Sequence, residues 1–145
     1  MYMIDIKDKV NALKEIMDFY SSEDSYISFE GYELVDNFNH FDNIVCEATD
    51  ILPRQTSWPK LNFYIIPLTT EASKKILELI KEKELLHHQE GIIHIQISKN
   101  GERVFIGCDN LDPECTWVSG GITSDYLDSL KQHGKINSYV RSNKQ

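Results

Sequence analysis

The stretch GIIHIQISKNGERVFIGC, residues 91–108, decides the fold class. Ile93, Ile95 and Ile97 alternate with His94 and Gln96, which is the two-residue period of a β-strand. Asn100-Gly101 then supplies two residues able to take the positive φ of a type I′ turn, and Val104 and Ile106 resume the alternation. A two-residue turn there pairs residues whose numbers sum to 201. Ile97 then opposes Val104, Ile95 opposes Ile106 and Ile93 opposes Cys108. On that register one face is apolar, and Ile92, His94, Gln96, Phe105 and Asp109 make a mixed, partly exposed one.

Working outward, Leu61–Pro67 is mostly apolar on both faces, as an internal strand would be. Thr69 or Thr70 caps a helix to about Leu86, with Ala72, Ile76, Leu79 and Ile80 on its buried side. The strand–helix–strand run from Leu61 to Ile97 is long enough for a parallel crossover, so a mixed sheet stays open. Beyond the hairpin, Asn110–Glu114 reads as an acidic turn and Thr116–Val118 as a further strand. Thr123 or Ser124 caps a last helix that carries Tyr126, Leu127 and Leu130 and stops at Gly134. Ile136–Gln145 reads as a polar, frayed tail.

At the other end, Met3, Ile6, Val10, Leu13, Met17 and Tyr20 predict one amphipathic helix over Asp5–Tyr20, capped by Asp5. Tyr26–Phe29 is a short strand ended by Gly31. Leu34, Phe38, Phe41, Val45, Ala48 and Leu52 keep helical spacing, which predicts a broken pair of short helices, the second capped near Asp42. The alternative there is two strands joined by a loop at residues 36–43. Together these elements predict a single α+β domain over residues 1–145. Its sheet is mainly antiparallel, built on 61–67, 92–98 and 103–108, with helices packed against it.

The charge is unevenly placed. Residues 1–58 hold twelve acids against Lys7, Lys9, Lys14 and Arg54, whereas residues 59–145 hold eleven acids and eleven bases, so the net −8 belongs to the first part. Glu15–Pro53 contains no Lys or Arg, ten carboxylates and seven of the fifteen aromatics. Such a field favours a basic protein partner and repels the phosphates of nucleic acid. Acids interleaved with Tyr and Phe suit a Lys- and Arg-rich surface through ion pairs and cation–π contacts. The candidate partner-binding residues are therefore Glu23, Asp24, Glu30, Glu33, Asp36, Asp42, Glu47 and Asp50.

Catalytic signatures are missing. The glycines fall into no phosphate-binding spacing, and no two cysteines form a Cys-x-x-Cys pair. Cys46, Cys108 and Cys115, an odd number without framework spacing, read as reduced thiols, with Cys108 pointing into the core. The N-terminal residues have no signal-peptide pattern and no run approaches a membrane span, so a cytoplasmic protein away from membranes is expected. His87-His88, Glu90 and His94 invite a metal, but adjacent helix residues point apart, so no metal and no cofactor is expected. His94 with Asp109 is the best enzyme-like pair and lacks a nucleophile. A small cytosolic enzyme around His94, Asp109 and Cys115 is the alternative to a binding module, and a regulatory adaptor is the third reading.

In size, acidity and lack of catalytic motif, the whole chain resembles the small acidic immunity proteins encoded beside bacterial toxins, such as those of contact-dependent inhibition systems. That resemblance implies tight binding to a cationic toxin domain, often a nuclease, whose working surface is covered. It specifies neither a fold nor a residue.

Overall fold

The chain runs β1 (Tyr2–Ile6), α1 (Lys9–Tyr20), β2 (Ser25–Gly31), α2 (Val35–Phe38), β3 (Asn62–Pro67), α3 (Thr70–Lys83), β4 (Ile92–Lys99), β5 (Glu102–Gly107), β6 (Thr116–Val118), α4 (Ser124–Gln132) and β7 (Ile136–Arg141). The structure is a computed structural model that describes residues 1–87 and 91–142, and not the side chains of Val35 and Asp36. The strands form one sheet in the order β3-β2-β4-β5-β6-β1-β7, and every neighbouring pair is antiparallel. The α+β class is as expected, and the possible parallel pairing is absent: β2 lies between β3 and β4 and pairs with both. Three helices of nine residues or more, α1, α3 and α4, pack on one face, in a core with Ile27, Phe29, Ile95, Ile97 and Phe105.

The N-terminal helix is shorter than its spacing predicts. Tyr2–Ile6 is a strand with Ile4 and Ile6 buried at a two-residue period, and Asp8 rather than Asp5 caps α1, accepting from the Asn11 amide at 3.2 Å. The tail also departs from expectation. Ile136–Arg141 pairs antiparallel with β1, which sits between β6 and β7.

β3 is an edge strand, not an internal one. Its two apolar faces are both used: Tyr64 and Ile66 join the helix-side core, while Phe63 and Ile65 pack with Leu52 and Ala48 on the other side. Its outer edge is bridged by Val45, which exchanges backbone hydrogen bonds of 3.0 and 2.7 Å with Ile65. Such cover satisfies groups that an open edge would leave unpaired.

Residues 34–52 hold one four-residue helix, and no second helix begins at Asp42. Glu33 and Asn43 adopt φ of 51° and 56°, which ends regular structure on either side of α2. The apolar side chains serve tertiary packing instead: Phe38 stacks on Phe29 at 4.8 Å, and Val45 and Leu52 wrap β3.

Asn100 and Gly101 turn the hairpin with φ of 53° and 80°. The register sums to 201 only at Lys99–Glu102 and Ser98–Arg103, then shifts to Ile97–Phe105, Gln96–Ile106 and Ile95–Gly107. Val104 is the extra residue of this bulge. Its carbonyl accepts from the Ser119 amide at 2.9 Å and from the Tyr20 hydroxyl at 3.2 Å, so it serves partners outside the hairpin. The shift carries Phe105 to the helix face, where it is buried beside Ile95 and Ile97. It also turns Cys108 away from the core and toward Gln55, on the face of His94 and Gln96.

Candidate functional site

The sheet face away from the helices carries Ser28, Glu30, His94 and Gln96, with Ser28 opposite Gln96 and Glu30 opposite His94. All four are buried, because residues 53–56 cross over them. Glu30 accepts the Gln55 amide at 2.8 Å on one carboxylate oxygen and the Thr56 amide at 3.2 Å on the other. A buried carboxylate held by two backbone donors is compensated for its lost hydration. The Gln96 amide nitrogen donates to the Pro53 carbonyl at 2.8 Å and to Ser28 Oγ at 3.3 Å. Its oxygen accepts from Arg103 at 2.8 Å and from Gln55 at 3.3 Å, and the Arg103 guanidinium lies 5.5 Å from the centre of the Trp117 ring.

His94 completes the network. Its Nδ1 accepts the Asp109 amide at 3.1 Å, which leaves the proton on Nε2 to donate to Thr56 Oγ1 at 2.7 Å. Burial pushes its pKa below the usual histidine value, against the opposing influence of the Glu30 and Asp109 charges. Among the described residues, no buried side-chain nitrogen or oxygen lacks a partner. The cluster is saturated internally, and what it does chemically is fasten residues 53–56 to the sheet.

The sequence pairing of His94 with Asp109 is present, but through the backbone amide of Asp109 and not its carboxylate. Cys115 donates its thiol to the Cys108 carbonyl at 3.2 Å. Burial raises the Cys115 pKa and, with Cys115 adding to it, pushes Cys108 up to about 12, so neither is a ready thiolate near neutral pH. Among the described residues, no three His, Cys, Asp or Glu side chains converge as metal ligands. His87 is exposed, and His88 and Glu90 lie outside the described residues.

The acidic candidates divide. Glu23, Asp24, Glu33, Asp42, Glu47 and Asp50 are exposed. Glu30 is corrected: it faces inward as the fastening carboxylate, not outward toward a partner. The Asp36 side chain lies outside the description. None of the six exposed carboxylates joins an ion pair; those among the described residues are Lys14–Asp18 at 3.0 Å and Lys135–Glu15 at 2.6 Å.

Asp42, Glu47 and Asp50 belong to the segment over the outer edge of β3. Asp42 faces a cleft shared with Lys75 of α3 and Glu47 one shared with Arg54 and Lys60, while a separate groove of about 290 Å³ is lined by Tyr26, Asn43, Val45, Thr49, Ile51, Leu52, Ile65 and Ser98. Tyr26, Val45 and Ile51 are 39%, 47% and 40% exposed, unusual for large apolar groups brought together at one place. Sequence reasoning missed this groove. Val45 fitted the helical spacing assigned to 34–52, and Ile51 next to Asp50 carried no pattern of its own.

No family model, curated protein or solved structure matches this chain significantly. No described helix is long and apolar enough to cross a membrane.

Proposed function

We propose that this chain is a cytoplasmic, acidic protein-binding module that neutralises a basic protein domain by covering it, in the manner of the small immunity proteins it resembles. A cationic nuclease toxin is the partner class that best fits the charge. The observation that carries the reading is the set of six exposed, unpaired carboxylates in a stretch free of Lys and Arg. Unpaired surface acids keep their field available for a partner, and that field accelerates encounter with a cation. Speed of encounter matters for an inhibitor whose target acts at very low copy number.

The test pairs this protein with the product of the adjacent reading frame, which on this reading carries a basic cytotoxic domain. Co-expression should restore growth, and association of the purified proteins should slow about tenfold or more as salt rises from about 50 to about 500 mM. Charge reversal at Asp42, Glu47 and Asp50 should weaken binding more than reversal at Glu78 and Glu82 of α3. An association rate indifferent to salt, or equal losses from the two sets of reversals, would overturn the electrostatic reading.

A further inference from the structure

Cys108 and Cys115 stand opposite each other where the β5–β6 ladder ends. That ladder pairs Phe105 with Val118, Ile106 with Trp117 and Gly107 with Thr116, so the next pair along it is Cys108 with Cys115. The backbone continues the pairing, since the Cys108 amide donates to the Cys115 carbonyl at 3.2 Å. Opposed residues of an antiparallel pair have Cα atoms roughly 4.5–5.5 Å apart and side chains on one face. That separation falls inside the roughly 4.4–6.8 Å that a disulfide spans. The side chains also meet: the Cys115 thiol donates to the Cys108 carbonyl at 3.2 Å, and the two thiols share a hydrogen bond.

The segment between them is strained and pinned. Asp109, Asn110 and Leu111 hold φ of 50°, 60° and 62°, three successive non-glycine residues in the left-handed region. L-residues visit that region singly, so a run of three persists only where the surroundings over-determine it. Here the Asn110 amide donates to the Ile93 carbonyl at 2.7 Å and the Asp112 amide to the Cys108 carbonyl at 2.9 Å. Thr116 Oγ1 donates to the Asp112 carbonyl at 2.7 Å, and Leu111 is buried. The result is a return tight enough to set one sulfur against the other. Both cysteines are partly exposed, within reach of a small reagent, whereas Cys46 is fully exposed beside the edge strand β3. Burial raises both pKa values, slowing thiol exchange near neutral pH. The shared hydrogen bond adds to that rise at Cys108 and opposes it at Cys115.

We propose that Cys108 and Cys115 are a reversible redox pair, closed to an intramolecular disulfide by a small-molecule disulfide of the glutathione class. Cys115, to which Cys108 donates, ionises first and attacks one sulfur of the reagent, forming a mixed disulfide and expelling one small thiolate. The Cys108 thiolate then attacks Cys115 Sγ, forming the Cys108–Cys115 bond and expelling the second. The protein gives up two protons and two electrons, which the reagent carries off as two small thiols. In a reducing compartment such a pair rests as thiols and closes when the oxidant rises. Closure removes both S–H donors, so Cys108 no longer donates to Gln55 Oε1, 3.7 Å away in the covering loop. It also fixes the turn that carries Asp109, whose amide holds His94.

The test equilibrates the folded Cys46→Ser protein, which keeps only these two cysteines, with graded ratios of reduced to oxidised glutathione. Acid quenching, alkylation and mass analysis then follow one tryptic peptide, residues 104–131, which holds both thiols. The thiols should be lost together, leaving a peptide lighter by two hydrogens and free of glutathione. Closure should be favoured about tenfold or more in the folded protein over the same chain in urea, and the oxidised protein should unfold at a higher urea midpoint. Cys108→Ser should trap glutathione on Cys115, and failure to do so would overturn the two-step route. The unsubstituted protein should yield the same cross-linked peptide, a readout that stands if Cys46→Ser disturbs folding. Mixed disulfides that persist with both cysteines present, or closure no more favourable folded than in urea, would overturn the proposal.

Discussion

His94 holds three segments at once: its own strand, Asp109 after β5, and Thr56 in the covering loop. Because burial depresses its pKa below 6.5, the folded protein keeps the imidazole neutral while the unfolded chain takes up a proton. Its contribution to stability is therefore complete above about pH 6.5 and is lost as pH falls below that value through the folded pKa. Urea unfolding should show a lower midpoint at about pH 5.5 than at about pH 7.5, with a smaller drop in His94→Gln. A drop unaltered by His94→Gln would assign the pH dependence to other groups. The sequence singled out His94 and placed Asp109 beside it on a partly exposed face; the two meet, but His94 is buried. It did not show Thr56, 38 positions away, or that the amide of Asp109 makes the contact. Those follow from how a loop is laid over the strand, which no local spacing encodes.

Among the elements, the covering loop 53–56 has two backbone amides held by one carboxylate, Glu30, alongside its bonds to Gln96 and His94. Glu30→Ala leaves the Gln55 and Thr56 amides without their acceptor, which should cost about 2–3 kcal/mol in denaturant unfolding. Hydrogen exchange at those two amides should quicken together. Glu33→Ala, an exposed carboxylate three residues on, should stay within about 0.5 kcal/mol. The elements legible in the sequence are those with local signals: the Asn100-Gly101 turn, α3 capped by Thr69, and α4 capped by Thr123 with Gly134 after it at φ 73°. Illegible elements draw their reasons from elsewhere. The Val104 bulge depends on Tyr20 and Ser119, and the edge position of β3 on Val45. Met3 and Ile6 happened to continue the helical phase of α1, which disguised β1.

At the scale of the molecule, β1 is the strand on which one half of the sheet depends, since it joins β6 to β7. A chain ending at Gly134 loses β7 and Ile136 from the core, and leaves β1 with the short β6 as its only neighbour in the sheet. It should unfold without the sharp, single transition of the full protein, as followed by circular dichroism against urea. A transition as sharp and as late in denaturant would show that β7 adds nothing. The acidic region was only partly legible: of its aromatics Tyr20, Phe29 and Phe38 are core while Phe19, Tyr26 and Tyr32 are exposed, and the inward turn of Glu30 waited on the path of residues 53–56. The pairing of β1 with β7 also sets a schedule. Asp5 and Asn137 meet across 132 positions. At ribosomal speeds of about 5–20 residues per second, β1 waits roughly 7–26 s for its partner to be made. During that interval β2, β3, β4 and β5 are all available to assemble around the Asn100-Gly101 turn. The groove beside β3, which belongs to that early half, can be in place on the nascent chain before the sheet is finished.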